Sequence, residues 1–188
     1  MGQSPAIVSG RCEAPIPLAR NNAFAPFFTF LDNIGAPTDR WLKQSHITAA
    51  RVSGQESMVP LYSGYQFIEL AAGLGHLDNL GVLVAQRASA FDLGAYGAAL
   101  ERATTVGEYL QIGCRHASTL CSWGTRFWLS NEGNQLRINQ HLTGPDTLGV
   151  RVADVYTLVL TISMLRRFLG QEWRPGEIRL RYGLESLL

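Results

Sequence analysis

Tyr109 and His116 stand seven residues apart in the stretch TTVGEYLQIGCRHASTLCSW. At about 100° per residue, seven steps return a helix to nearly the same side, so both fall on one apolar arc with Val106, Leu110, Ile112 and Leu120. A phenol and an imidazole among aliphatic side chains bring hydrogen-bonding groups into an otherwise apolar layer, as a pocket for a small molecule requires. Two core residues, satisfied by backbone carbonyls or by each other, would give the same pattern, and both readings are open. Gln140 is a third polar group aimed at this layer, because it interrupts the apolar alternation of the following hairpin. The hairpin's opposite face carries Arg126, Trp128, Arg137 and His141, with Arg179 further on. It reads as a solvated face with arginines stacked on the tryptophan, or as a surface for an anionic ligand or a partner domain. Trp128 and Arg137 are its ligand-binding candidates.

Catalysis and metal chemistry find no foothold in the pattern. No Gly-x-Ser-x-Gly, His-Glu-x-x-His, P-loop or dinucleotide fingerprint occurs, and no cofactor is called for. Cys114 and Cys121 share a helix face but lie roughly 10 Å apart along the axis, beyond the disulfide limit of about 7 Å. His116 points about 160° away from Cys114 on the same wheel, so these residues do not form a metal site. The formal charge of +1, with Lys43 the only lysine, offers no general grip on nucleic acid. The sequence shows neither a signal peptide nor an apolar run approaching the roughly 20 residues that cross a bilayer. A cytoplasmic location without membrane contact is expected.

Several elements must position these residues. Thr105 and Glu108 form a capping box that starts the central helix, which is expected to run on towards Trp123. Period two then places Phe127, Leu129, Leu136, Ile138 and Leu142 on one face of a hairpin whose turn is Asn131 to Asn134. Upstream, residues 1–22 read as an irregular arm, and residues 23–188 as one domain. FAPFFTFLDNIG and TDRWLKQ give short helices, while residues 45–59 read as a loop with one short element. Ser63 and Gln66 offer a capping box for the helix YQFIELAAGLG. LGVLVAQRA fits a helix or a buried strand equally, and the glycines of FDLGAYGAALERA suggest close packing on the central helix. ADVYTLVLTISMLRRFLG is a long helix capped near Asp154, with Val155, Leu158, Val159, Ile162, Leu165 and Leu169 at core spacing. EWRPGEIRLRY alternates Ile178, Leu180 and Tyr182 as a strand that would return to the sheet. The expected fold is α+β, a small antiparallel sheet packed against several helices.

From Phe27 to Tyr182 the chain resembles the ligand-sensing N-terminal domain of AraC-type transcription regulators. The resemblance is to the α+β branch of ornithine- and virulence-type regulators, not to the cupin-barrel branch of the arabinose sensor. It is carried by FLDNIGAPTDRWL, VPLYSGYQFIELAA, LGAYGAALERATTVGEYLQ and VADVYTLVLTISMLRRFLGQEWRPGEIRL, in that order. The resemblance implies a small-molecule effector, a homodimer, and DNA contact only through a C-terminal helix-turn-helix domain absent from residues 1–188. A different class of function, a ligand-free interaction or dimerisation module with the same residues as plain core, is the alternative.

Overall fold

The computed structural model describes residues 16–47, 57–77 and 79–182. Most of the expected arm, residues 1–15, and most of the expected loop, residues 48–56, lie outside them. Helix α1 (Ala25–Asn33) begins with Pro26, whose missing N–H costs nothing in a first turn, and buries Phe27, Phe28, Phe30 and Leu31. Gly35, at φ +72°, closes it, and α2 (Thr38–Gln44) turns Trp41 and Leu42 inward as their spacing predicts. The end of the arm is not irregular. Residues Leu18–Arg20 form β1, which pairs antiparallel with β2 (Met58–Pro60). Ala19 and Val59 face each other with no exposed surface, and this burial holds two very short strands together.

Helix α3 (Leu61–Leu74) starts two residues before Ser63, directly after Pro60 and without a side-chain cap, so the expected Ser63 box is not used. The ambiguous LGVLVA segment is helix α4 (Leu80–Ala85), and α5 (Gly94–Glu101) follows. Helix α6 (Val106–His116) does start at the Thr105 box. Glu108 N donates to Thr105 Oγ1 at 3.2 Å, while the Glu108 carboxylate accepts from Thr104 N and Thr104 Oγ1, both at 2.8 Å.

The central helix does not stay regular to Trp123. At His116 it passes into a π turn over Ala117–Cys121, where Ser122 N reaches back five residues to Ala117 O at 3.1 Å. Trp123 N then donates to Leu18 O at 3.0 Å, tying the exit of the turn to β1.

Strands β3 (Thr125–Glu132) and β4 (Gln135–Leu142) form the hairpin with Phe127 opposite Gln140 and Leu129 opposite Ile138, but the turn is shorter than expected, because Asn131 and Glu132 stay in the strand and pair with Leu136 and Gln135. Gly133, at φ +60°, takes the left-handed first position of a two-residue turn. Only the base of the apolar face is covered: Leu142 is buried, whereas Leu136 near the turn is 56 % exposed.

Helix α7 (Leu148–Leu169) crosses α3 and α4 and is the spine of the core. It differs from expectation in two ways. It begins after Thr147, so Asp154 lies well inside it, buried rather than capping. Its buried residues include Val150, Ala153, Tyr156, Leu160 and Met164 and, as expected, Leu165, while Val155, Leu158, Val159 and Ile162 are half-buried and Leu169 is 43 % exposed. An apolar helix shows two plausible stripes, and the one bearing the bulky tyrosine faces inward. By length and composition α7 resembles a membrane span, yet half of its most apolar window is buried inside the domain, as in a core helix.

The segment after α7 is not a strand. Pro175 supplies no N–H, and the charged residues that follow grip the hairpin through side chains instead of joining the ladder. Arg137 Nη2 donates to Glu177 Oε2 at 3.3 Å, and Arg179 lies 3.6 Å from Glu132. Among the described residues there are therefore two two-stranded antiparallel sheets, β1–β2 and β3–β4, packed with seven α-helices in an α+β arrangement.

Candidate functional site

Helices α1, α3, α5, α6 and α7 and the base of the hairpin line a partly open cavity of about 80 Å³. Most of its wall is hydrocarbon, from residues such as Phe24, Phe27, Ile68, Leu100, Leu160 and Met164. Four of the chain's six tyrosines, Tyr65, Tyr96, Tyr109 and Tyr156, also line it. Burial raises the pKa of every one of these phenols well above the ordinary tyrosine value. For Tyr65 the nearby Asp154 carboxylate adds to the effect. All four hydroxyls therefore stay protonated at neutral pH, each able to donate and accept a hydrogen bond without carrying charge.

Their present partners are poor. Tyr109 Oη donates to the Met164 thioether sulfur at 3.0 Å, a weak acceptor. Tyr96 Oη reaches Gly113 O only at 3.4 Å. Tyr156 Oη is buried with no partner, while its ring packs on Phe27 with centroids 4.8 Å apart. A buried hydroxyl without a partner costs free energy, so three weakly held or unheld donors around one space are unusual for plain core.

The π turn directs Cys121 and Ser122 to the cavity wall. Such single-turn distortions recur where a helix must present groups out of its regular phase. Burial pushes the Cys121 thiol up to about 12, which leaves it an inert thiol rather than a nucleophile or metal ligand.

The structure separates the residues singled out from the sequence. Tyr109 is in the cavity. His116 is not: it lines a separate depression of about 270 Å³ on the flank of α6 with Arg102, Glu108, Gln111 and Arg115. Seven residues return a helix only nearly to the same side, and the cavity is narrow enough for that offset to matter. Gln140 faces α7, where its Nε2 donates to Asp154 O at 2.9 Å and Asp154 Oδ1 at 2.8 Å. Tyr182 Oη donates to the other oxygen of that carboxylate at 3.1 Å, so Asp154 joins β4, α7 and the final segment.

Trp128 is 43 % exposed on the far side of the hairpin. Arg137 is drawn to Glu132 and Glu177 rather than stacked on the tryptophan. The ring–cation contacts among the described residues are instead Arg87 over Phe30 and Arg151 over Tyr182.

Sequence reading missed Tyr65, Tyr96 and Tyr156. A signal existed, since a tyrosine inside an apolar helical stripe brings a hydroxyl that must be satisfied somewhere. Tyr156 was hidden because its helix offered two stripes.

A helix-rich α+β domain that holds an apolar cavity ringed by phenols has the form of a small-molecule-binding domain. Residues 35–185 match the arabinose-binding N-terminal domain of AraC transcription regulators, and the chain belongs to that family. No curated protein matches the chain significantly.

Proposed function

We propose that this chain is the effector-sensing domain of an AraC-type transcription regulator, acting in the cytoplasm. A small molecule enters the tyrosine-lined cavity and biases an attached DNA-binding domain. The observation that carries this reading is the unpartnered Tyr156 hydroxyl beside the weakly held hydroxyls of Tyr109 and Tyr96. A ligand oxygen meeting these groups replaces poor contacts with good ones, so binding need not break strong internal bonds.

Helix α7 is the natural transmitter. Its inner stripe carries Tyr156 and Met164 into the cavity, while Val155, Leu158 and Ile162 on its outer side are only half-buried. A ligand that favours one position of α7 therefore changes the outer face as well. Coupling to a second domain requires such a difference in affinity between two arrangements. The same outer stripe is the proposed two-fold contact of a homodimer. Gln140 acts indirectly, by holding α7 through Asp154.

Thermal denaturation of residues 1–188 against a set of metabolites tests this reading. At least one compound is expected to raise the midpoint, with stabilisation of about 2.7 kcal/mol at a hundredfold excess over Kd. Tyr109→Phe should shrink that shift, whereas His116→Leu should leave it intact. No stabilising compound, or a shift lost only in His116→Leu, would contradict the cavity as the sensing site.

A further inference from the structure

We infer that the cavity selects an uncharged, compact and mainly apolar effector carrying one or two hydrogen-bonding oxygens, with Tyr156 Oη as its anchoring group. This inference rests on the effector-sensing reading above and adds the chemical class of the ligand.

Charge is the first constraint. Among the described residues, none that lines the cavity carries a formal charge at neutral pH. The four phenols are held neutral by burial, and the Cys121 thiol is as well. The neighbouring Asp154 carboxylate is already engaged by Gln140 and Tyr182, with Arg181 3.7 Å away. Arg20 near Cys121, Asp92 near Tyr156, and Arg167 and Glu101 near Tyr109 stand behind the wall and give it no lining group. A carboxylate or ammonium brought into this space would lose its water and meet no charged group in the wall. Amino acids and organic acids are therefore disfavoured.

The number of available polar partners is the second constraint. Thr157 Oγ1 is committed to Ala153 O at 2.8 Å, and Ser122 Oγ accepts from Gly124 N at 3.2 Å. Tyr156 Oη is free of partners, Tyr109 Oη is held only by a thioether, and Tyr96 Oη has one long bond. Tyr65, Thr125 and Thr161 bring further hydroxyls to the wall, but among the lining groups only Tyr156 Oη is a fully buried atom left without a partner. One ligand oxygen answers that group, and a second can meet Tyr109 or Tyr96. A sugar presents a hydroxyl on almost every carbon, and each one stranded against the Phe and Leu wall would weaken binding about tenfold.

Size is the third. A dry cavity of about 150 Å³ lined by aliphatic and aromatic residues accommodates benzene, and this one measures about 80 Å³. A ligand of about one ring suits this narrow space, admitted when the flexible Met164 side chain gives way. Met164 is also the acceptor for Tyr109, so its displacement would free that hydroxyl for the ligand.

Calorimetric titration of the full chain with phenol, cyclohexanone, benzoate, arabinose and ornithine tests the inference, using wild type, Tyr156→Phe and Tyr109→Phe. Phenol or cyclohexanone is expected to bind, and the other three are not. Tyr156→Phe should weaken that binding at least about tenfold without lowering the melting midpoint, since it removes an unpaired buried hydroxyl. Tyr109→Phe should weaken it less. Binding of benzoate, arabinose or ornithine that is lost in Tyr156→Phe would overturn the neutral class while leaving effector sensing intact. Phenol or cyclohexanone binding that both variants retain would overturn the anchoring role. Failure of all five compounds, with a higher midpoint for Tyr156→Phe, would overturn the inference by returning that hydroxyl to closed core. The sensing reading would then stand or fall with the wider metabolite screen.

Discussion

Gly149→Ala is expected to destabilise the domain by about 2–3 kcal/mol, among the largest effects of any single methyl group in this chain. Gly149 lies in the first turn of α7, where that helix meets α3. A Cβ there would stand 2.0 Å from Tyr65 O and 2.9 Å from Tyr65 C. These are backbone atoms, so no side-chain rotation relieves the contact and the two helices must part. Better helix propensity returns less than about 1 kcal/mol. For a domain of this length the net cost corresponds to a fall of about 4–12 °C in Tm. Gly73→Ala, in α3 with nothing within 4 Å of its new methyl, is the control and should be neutral or mildly stabilising. Equal midpoints for the two variants would refute the close crossing of α3 and α7. Because Tyr65 also lines the cavity, Gly149→Ala should disturb ligand binding as well.

Asp154→Ala is the second large effect, expected to cost about 3 kcal/mol. The carboxylate is buried and accepts from Gln140 Nε2 at 2.8 Å and Tyr182 Oη at 3.1 Å. Truncation strands both donors at once, apart from the bond Gln140 keeps to Asp154 O. Asp154→Asn preserves the shape and should cost less. The truncation should also release the final segment, so trypsin should cut after Arg179 or Arg181 faster than in wild type. Unchanged cleavage together with an unchanged denaturant midpoint would show that Asp154 does not join these elements.

The hairpin was legible in the sequence because its signals are local. Alternation fixed which residues share a face, and Gly133 marked the turn. The start of α6 was equally legible, since Thr105 and Glu108 act within one turn. What escaped were the features that depend on distant partners. The β1–β2 pair joins residues some forty positions apart in the chain, and nothing in either three-residue strand announces the other. Of the stripe expected on α7 only Leu165 is fully buried, because both of the helix's stripes are apolar and only the neighbours α3 and α4 decide between them. The alternation from Glu177 to Tyr182 looked like a strand, yet Glu177 and Arg179 find side-chain partners on the hairpin and Arg181 finds Asp154 of α7. At the candidate site, Tyr109 could be recognised as a polar intruder on an apolar arc. His116 was grouped with it because a wheel shows angle but not depth, and the regular helix ends at that residue.

The central claim, that the effector sits among the tyrosines, is tested most directly by ¹⁹F NMR of the chain labelled with fluorotyrosine. The titrant is the stabilising compound from the metabolite screen, and the resonances are assigned by single Tyr→Phe changes. The account predicts that Tyr109 and Tyr156 shift and saturate together with binding, while Tyr62, exposed on the outer side of α3, stays in place. Saturable binding that leaves the Tyr109 and Tyr156 resonances unmoved would contradict it and place the site elsewhere on the domain.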